Sequence, residues 1–128
     1  MTLGAMQDYP LRIMRVLDHA EREHGSREIV AARAAGTIHR TDWAKVAEDA
    51  RHLAQVLERL GVSPSELLER HASGDWGEVP SEDARENEFA LEHGFRVMSN
   101  YPLSGGIRVW VITEADRSST CILLPSEY

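Results

Sequence analysis

A second cysteine, a second lysine and a long apolar run are all missing from this chain of 128 residues. With Cys121 alone there is no internal disulfide, and a lone thiol suits a reducing compartment, so the cytoplasm is the expected location. The longest apolar run, IRVWVIT at 107–113, falls far short of the roughly 20 residues a membrane helix needs, and no membrane association is expected. The N-terminal MTLGAMQDYP has neither the basic patch nor the apolar core of an export signal. Basic charge is scarce in one half only. Residues 1–62 balance 9 basic with 9 acidic side chains, whereas residues 63–128 carry 5 against 12, which is the whole net charge of −7. Such a field repels phosphate backbones and attracts basic surfaces, so a basic protein partner is expected and direct nucleic-acid binding is not. Repeats, low-complexity tracts and HExxH-like histidine pairs are absent, and no metal or cofactor is expected.

What is present reads as an α+β chain, long enough for one ordinary domain. In DYPLRIMRVLDHAEREHG, Pro10 suits a first helical turn, and Ile13, Val16, Leu17, Ala20 and His24 share one face before Gly25 stops the helix. REIVAAR and TIHRT flank AAG, a hairpin pattern with Gly36 at the turn. A second helix over 42–60 carries Val46, Ala50, Leu53, Leu57 and Leu60 on its apolar face and closes at Gly61. SPSE opens a third helix with a capping box between Ser63 and Glu66, burying Leu67, Leu68 and His71. A fourth, SEDARENEFALEH, follows Pro80 and ends at Gly94. FRVMSNYPL, IRVWVITE and STCILLP then form a three-stranded antiparallel meander. Both faces of VWVIT are apolar; one meets the helices, and the other needs a second layer or a second subunit, so a homodimer stands as an alternative.

Two resemblances divide the chain. MQDYPLRIMRVLDHAEREHG, REIV and GTIHRTDWAKVAEDARHLAQVLERLGV, within residues 6–62, resemble the extreme N-terminus of the acyl-CoA synthetases, the AMP-forming adenylating ligases. That family's phosphate loop, nucleotide-binding motifs and catalytic lysine lie far downstream of this segment, and Lys45 matches none of them. SPSELLERHASGDWGEVPSEDARENEFAL, RVMSNYPL and VWVITEADRSSTCILLPSEY, within 60–128, resemble small plasmid-related bacterial proteins whose activity is not known. The resemblances imply a ligase-like segment without catalytic motifs over 1–62 and an acidic α+β unit over 63–128, with the second helix shared.

Three stretches carry side chains with chemical potential. In SGDWG, Gly74 and Gly77 allow a tight turn and Trp76 anchors it; alternatively His71, Asp75 and Glu78 converge on a metal or proton-transfer site. Between Glu66 and Glu92 there are nine acids against Arg70 and Arg85. This is either a solvated face or a recognition face, in which Glu82, Asp83, Glu86, Glu88 and Glu92 meet a basic partner and Trp76 positions the loop before them. TEADRSST gathers acids and hydroxyls at a strand connection, a self-bonded loop unless a base such as His93 activates Ser118 or Ser119. Cys121, inside a β-rich run, is expected to be buried. The function expected is that of a non-enzymatic interaction protein. The alternatives are a truncated or rearranged ligase relative retaining nucleotide or acyl binding, and hydrolysis around His71, Asp75 and Ser119.

Overall fold

The computed structural model describes residues 14–32 and 36–128. It is α+β, in the order α1 (Met14–His24), β1 (Glu28–Ala32), β2 (Ile38–Asp42), α2 (Trp43–Leu60), α3 (Pro64–Ala72), α4 (Ser81–His93), β3 (Val97–Pro102), β4 (Arg108–Thr113) and β5 (Thr120–Leu123). Short 3-10 turns follow β3 and β5 at Ser104–Gly106 and Pro125–Glu127. The chain divides into two compact units, Met1–Arg51 and His52–Tyr128.

In the first unit β1 and β2 pair antiparallel, Glu28 opposite Asp42 through Ala32 opposite Ile38. Gly36 takes the left-handed backbone expected of it, with φ +76°; Ala34 and Ala35 of the expected turn, like Pro10 and Ile13 of the first helix, lie outside the described residues. Asp42 Oδ1 accepts from Lys45 N at 2.8 Å and caps α2. The apolar face of α1 is narrower than its periodicity predicts. Ala20 is buried and Leu17 half-buried, but Val16 and His24 stand exposed. Toward the C-terminal end of α1 Arg51 Nη1 donates to Glu21 Oε1 at 2.8 Å, and just beyond the helix Ala44 N donates to Gly25 O at 3.0 Å. A two-stranded ribbon has little area to offer the remainder of the helix.

The second unit is built around the antiparallel sheet β3-β4-β5. Val97, Ser99 and Tyr101 of β3 point to one face, opposite Thr113, Val111 and Val109 of β4. Onto that face pack Leu57 of α2 and Leu67 of α3, joined by Leu124; each such buried side chain contributes about 1.5–3 kcal/mol. The α2 periodicity is displaced from expectation by one position in places: Ala47 and Val56 are buried, Ala50 is exposed, and Leu53 and Leu60 are intermediate. On α3 the capping box forms as expected, Ser63 N donating to Glu66 Oε2 at 3.1 Å, while Leu68 is exposed because Leu67 and His71 alone face the sheet. On the opposite face Ile112 is buried beside Trp110, whose ring meets Tyr128 edge-on at 5.7 Å. Arg96 donates to Tyr128 Oη at 2.7 Å and pairs with Glu114 at 3.1 Å, so this face draws cover from the chain's own C-terminal residues.

The outer edge of β3 is closed without a strand. Asn100 N donates to Trp76 O at 3.0 Å and Asn100 O accepts from Glu78 N at 2.8 Å, a one-residue bridge opposite Gly77. One pair of positions earlier, Met98 N donates to Asn87 Oδ1 at 3.1 Å and Met98 O accepts from Asn87 Nδ2 at 2.8 Å, so a side-chain amide on α4 stands in for a peptide. Gly77 has no alternative here. At φ +70°, a Cβ on it would lie 2.2 Å from Asn100 O and 2.7 Å from the Tyr101 ring.

Gly77→Ala is therefore expected to lose about 1–2 kcal/mol for the left-handed backbone and about 1–3 kcal/mol more for the clash. Gly74→Ala, where the nearest atom would be 3.9 Å away at φ +83°, should lose only the first amount. Equilibrium denaturation of the two variants side by side measures the difference.

Candidate functional site

His71 leaves the third helix toward the sheet and is only 7% exposed. Its Nδ1 lies 2.6 Å from Ser99 Oγ and its Nε2 2.9 Å from Thr113 Oγ1, which continues to Thr120 Oγ1 at 2.8 Å. One imidazole thus ties α3 to hydroxyls on all three strands. A histidine beside a serine has the outline of a base and nucleophile. Ser99, however, has no accessible surface, and the second ring nitrogen meets a hydroxyl instead of the carboxylate that would stabilise an imidazolium. Burial holds the His71 pKa below its ordinary value, favouring the neutral ring. The edge of that ring meets Trp76 at 5.7 Å.

The residues grouped with His71 by sequence go elsewhere. Asp75 accepts from Arg70 Nε at 2.6 Å and from Gly77 N at 3.1 Å, and the Arg70 bond leads in lowering its pKa. Its backbone carbonyl accepts from Tyr101 Oη at 2.6 Å, with the Arg70 guanidinium 4.3 Å over the Tyr101 ring. Glu78 pairs with Arg108 at 3.0 Å. His71, Asp75 and Glu78 therefore serve three separate contacts. Among the described residues no three histidine, cysteine, aspartate or glutamate side chains are grouped to hold a metal.

TEADRSST is occupied by local bonding. Asp116 Oδ1 accepts from both Ser118 N at 3.0 Å and Ser118 Oγ at 2.6 Å, and Ser119 O accepts from Glu114 N at 3.1 Å. His93 Nδ1 lies 2.9 Å from Phe89 O, its own helix, and none of its bonds reaches Ser118 or Ser119. The residue that sequence reasoning missed is Arg117. Held at φ +60°, it donates to Phe95 O at 2.6 Å, Glu114 O at 3.1 Å and Ala90 O at 3.1 Å, placing its charge at the C-terminal end of α4 through one helix carbonyl and one just beyond it. Cys121 is exposed, contrary to expectation, because β5 is the outer strand of the sheet and leaves its second face uncovered there.

Trp76 is buried with Ala90 and Val97, and its indole N–H donates to Glu88 Oε1 at 3.0 Å, linking the SGDWG loop to α4. Between loop, helix and sheet lies an open cleft of about 360 Å³ lined by His71, Gly74, Trp76, Glu88, Leu91 and Thr113. Along α4, Asn87 and Ala90 face inward and Asp83 is half-buried, while Glu82, Glu86, Glu88 and Glu92 are exposed. Asp75, Glu78 and Glu114 each hold an arginine. Glu82, Asp83, Glu86 and Glu92 make no ion pair among the described residues. The same helix exposes Phe89, whose ring stacks on His93 at 3.8 Å and lies parallel to Phe95 at 6.0 Å. Sequence reasoning also missed these rings; helical spacing of Phe89 from the acids, at i+3 from Glu86, was the available signal.

Lowered by burial, the His71 pKa makes stability depend on pH. Above the unfolded value both states are neutral and stability is flat; below it the unfolded chain binds the proton first, so stability falls as pH drops toward the folded value. Denaturation midpoints measured from pH about 8 to about 5 should show this fall. In His71→Gln the fall should be weaker, on a baseline lowered by about 1–3 kcal/mol for imperfectly satisfied hydroxyls.

No family model matches the chain, and no solved structure matches it. Similarity to acyl-CoA ligases is found over part of it. The chain is 42% identical over 66 residues to a 3-methylmercaptopropionyl-CoA ligase of Ruegeria lacuscaerulensis, covering 52% of this chain and 12% of that protein. A 3-methylmercaptopropionyl-CoA ligase of Ruegeria pomeroyi is 40% identical over 62 residues, 48% of this chain and 12% of the relative. The medium-chain-fatty-acid–CoA ligase of Ectopseudomonas oleovorans is 36% identical over 77 residues, 60% and 14% respectively. The chain thus spans about an eighth of the length of these relatives, and what they share with it is a segment of an acyl-CoA ligase.

Proposed function

We propose that this protein is a non-enzymatic interaction or accessory protein whose α4 presents an acidic face to a basic protein partner. The observation that carries this reading is the run of carboxylates on α4, exposed Glu82, Glu86 and Glu92 with half-buried Asp83, none in an ion pair among the described residues, whereas Asp75, Glu78 and Glu114 each hold an arginine. Arg85 is the one cation on that helix. Trp76 supports the face from behind through Glu88. The groups with catalytic potential are committed elsewhere: His71 to sheet hydroxyls, Asp75 to Arg70, and Ser118 to Asp116. A resemblance of residues 60–128 to small plasmid-related proteins adds no chemistry to this.

Charge reversal at Glu82, Glu86 and Glu92 should weaken capture of a basic protein about tenfold or more, and added salt should weaken it in the unaltered chain. Equal capture by the reversed variant would remove the proposal.

A second reading follows from the ligase similarity, that of a rearranged relative retaining nucleotide or acyl binding. Calorimetry with ATP and with an acyl-adenylate analogue separates the two. The interaction reading expects only the heat of dilution, whereas saturable heat from either ligand would favour the ligase reading.

A further inference from the structure

Phe89 and Phe95 expose more than half of their surface, at 53% and 55%, whereas Trp76 and Tyr101 are buried. The two rings lie within 11° of parallel, and His93 stacks on Phe89 within 14°, held by its bond to Phe89 O. At 3.6 residues per turn, Glu82, Glu86, Phe89 and His93 fall within about 60° of arc on α4, with Arg85 and Glu92 on one flank. Arg117 lies beneath the same end, but its guanidinium is spent on Phe95 O and Ala90 O. The result is an exposed stack of aromatic rings bordered by carboxylates.

Charge selects what can cover it. A second copy presenting the same face would set like charges against each other, and an anionic lipid surface would be repelled. A cation is attracted to the rim and to the ring faces together. Of the two cationic side chains, guanidinium is planar, weakly hydrated and able to lie parallel to a ring while its N–H fork reaches a carboxylate; ammonium stays a hydrated point charge. Resting on the reading of α4 as a docking face, we infer that the partner segment is arginine-bearing, with guanidinium groups packed against the exposed Phe89, His93 and Phe95 rings and paired to Glu82, Glu86 or Glu92.

The test titrates the full chain with an octa-arginine and an octa-lysine peptide at low salt, alongside the double variant Phe89→Leu, Phe95→Leu. Both rings are more than half exposed, and thermal melting checks that the variant folds. Octa-arginine is expected to bind about five-fold more tightly, with the preference lost in the leucine variant and the octa-lysine affinity kept. Equal affinities, or a preference that survives the leucines, would overturn the arginine assignment while leaving the acidic face standing. Binding of neither peptide would overturn the docking face itself. A concentration-dependent dimer dissolved by the leucines would assign the rings to a second copy and would also overturn the inference.

Discussion

Backbone groups at a sheet edge need partners, and β3 takes them from two places that are not strands: the Trp76–Glu78 loop and the side-chain amide of Asn87. That closure orders much of the second unit. It brings Gly77 against Tyr101, which lets the Tyr101 hydroxyl reach Asp75 O and sets Arg70 over the ring. It also fixes the height of α4 along the sheet, since Asn87 must reach both polar groups of one residue, Met98. The helix cannot slide by a turn without abandoning two bonds.

The inward and outward faces of α4 follow from the same constraint. With Asn87 and Ala90 turned to the sheet, Glu82, Glu86 and Phe89 have no direction left but outward. Arg117 holds the far end through Ala90 O and Phe95 O, which relieves the helix of a cation on its own surface. The acid-rich surface is thus a consequence of how the helix is anchored. Polar side chains in the interior do the anchoring, and charged ones are left at the surface.

Much of this was legible locally. The capping box at Ser63 and Glu66, the glycine stop at Gly94 and the meander all depend on residues close in sequence, and they formed where the pattern put them. Periodicity was less reliable in choosing the buried residue. It favoured Ala50 over Ala47, passed over Val56, and placed Leu68 and Val16 inside, because a repeat of three and four leaves neighbouring positions nearly equivalent until the packing partner is known. Long-range partners left no trace in sequence: Ser99 and Thr113 for His71, Met98 for Asn87, Ala90 for Arg117. Rules of composition gave Cys121 to the core, and only the order of strands shows that it lies on an outer one.

Amide hydrogen exchange tests the edge closure most directly. If the loop and Asn87 substitute for a strand, the amides of Met98 and Asn100, which point away from β4, should exchange as slowly as those at the centre of β4. Exchange of these two amides at the rate of exposed loops such as Ser104–Gly106 would contradict the account.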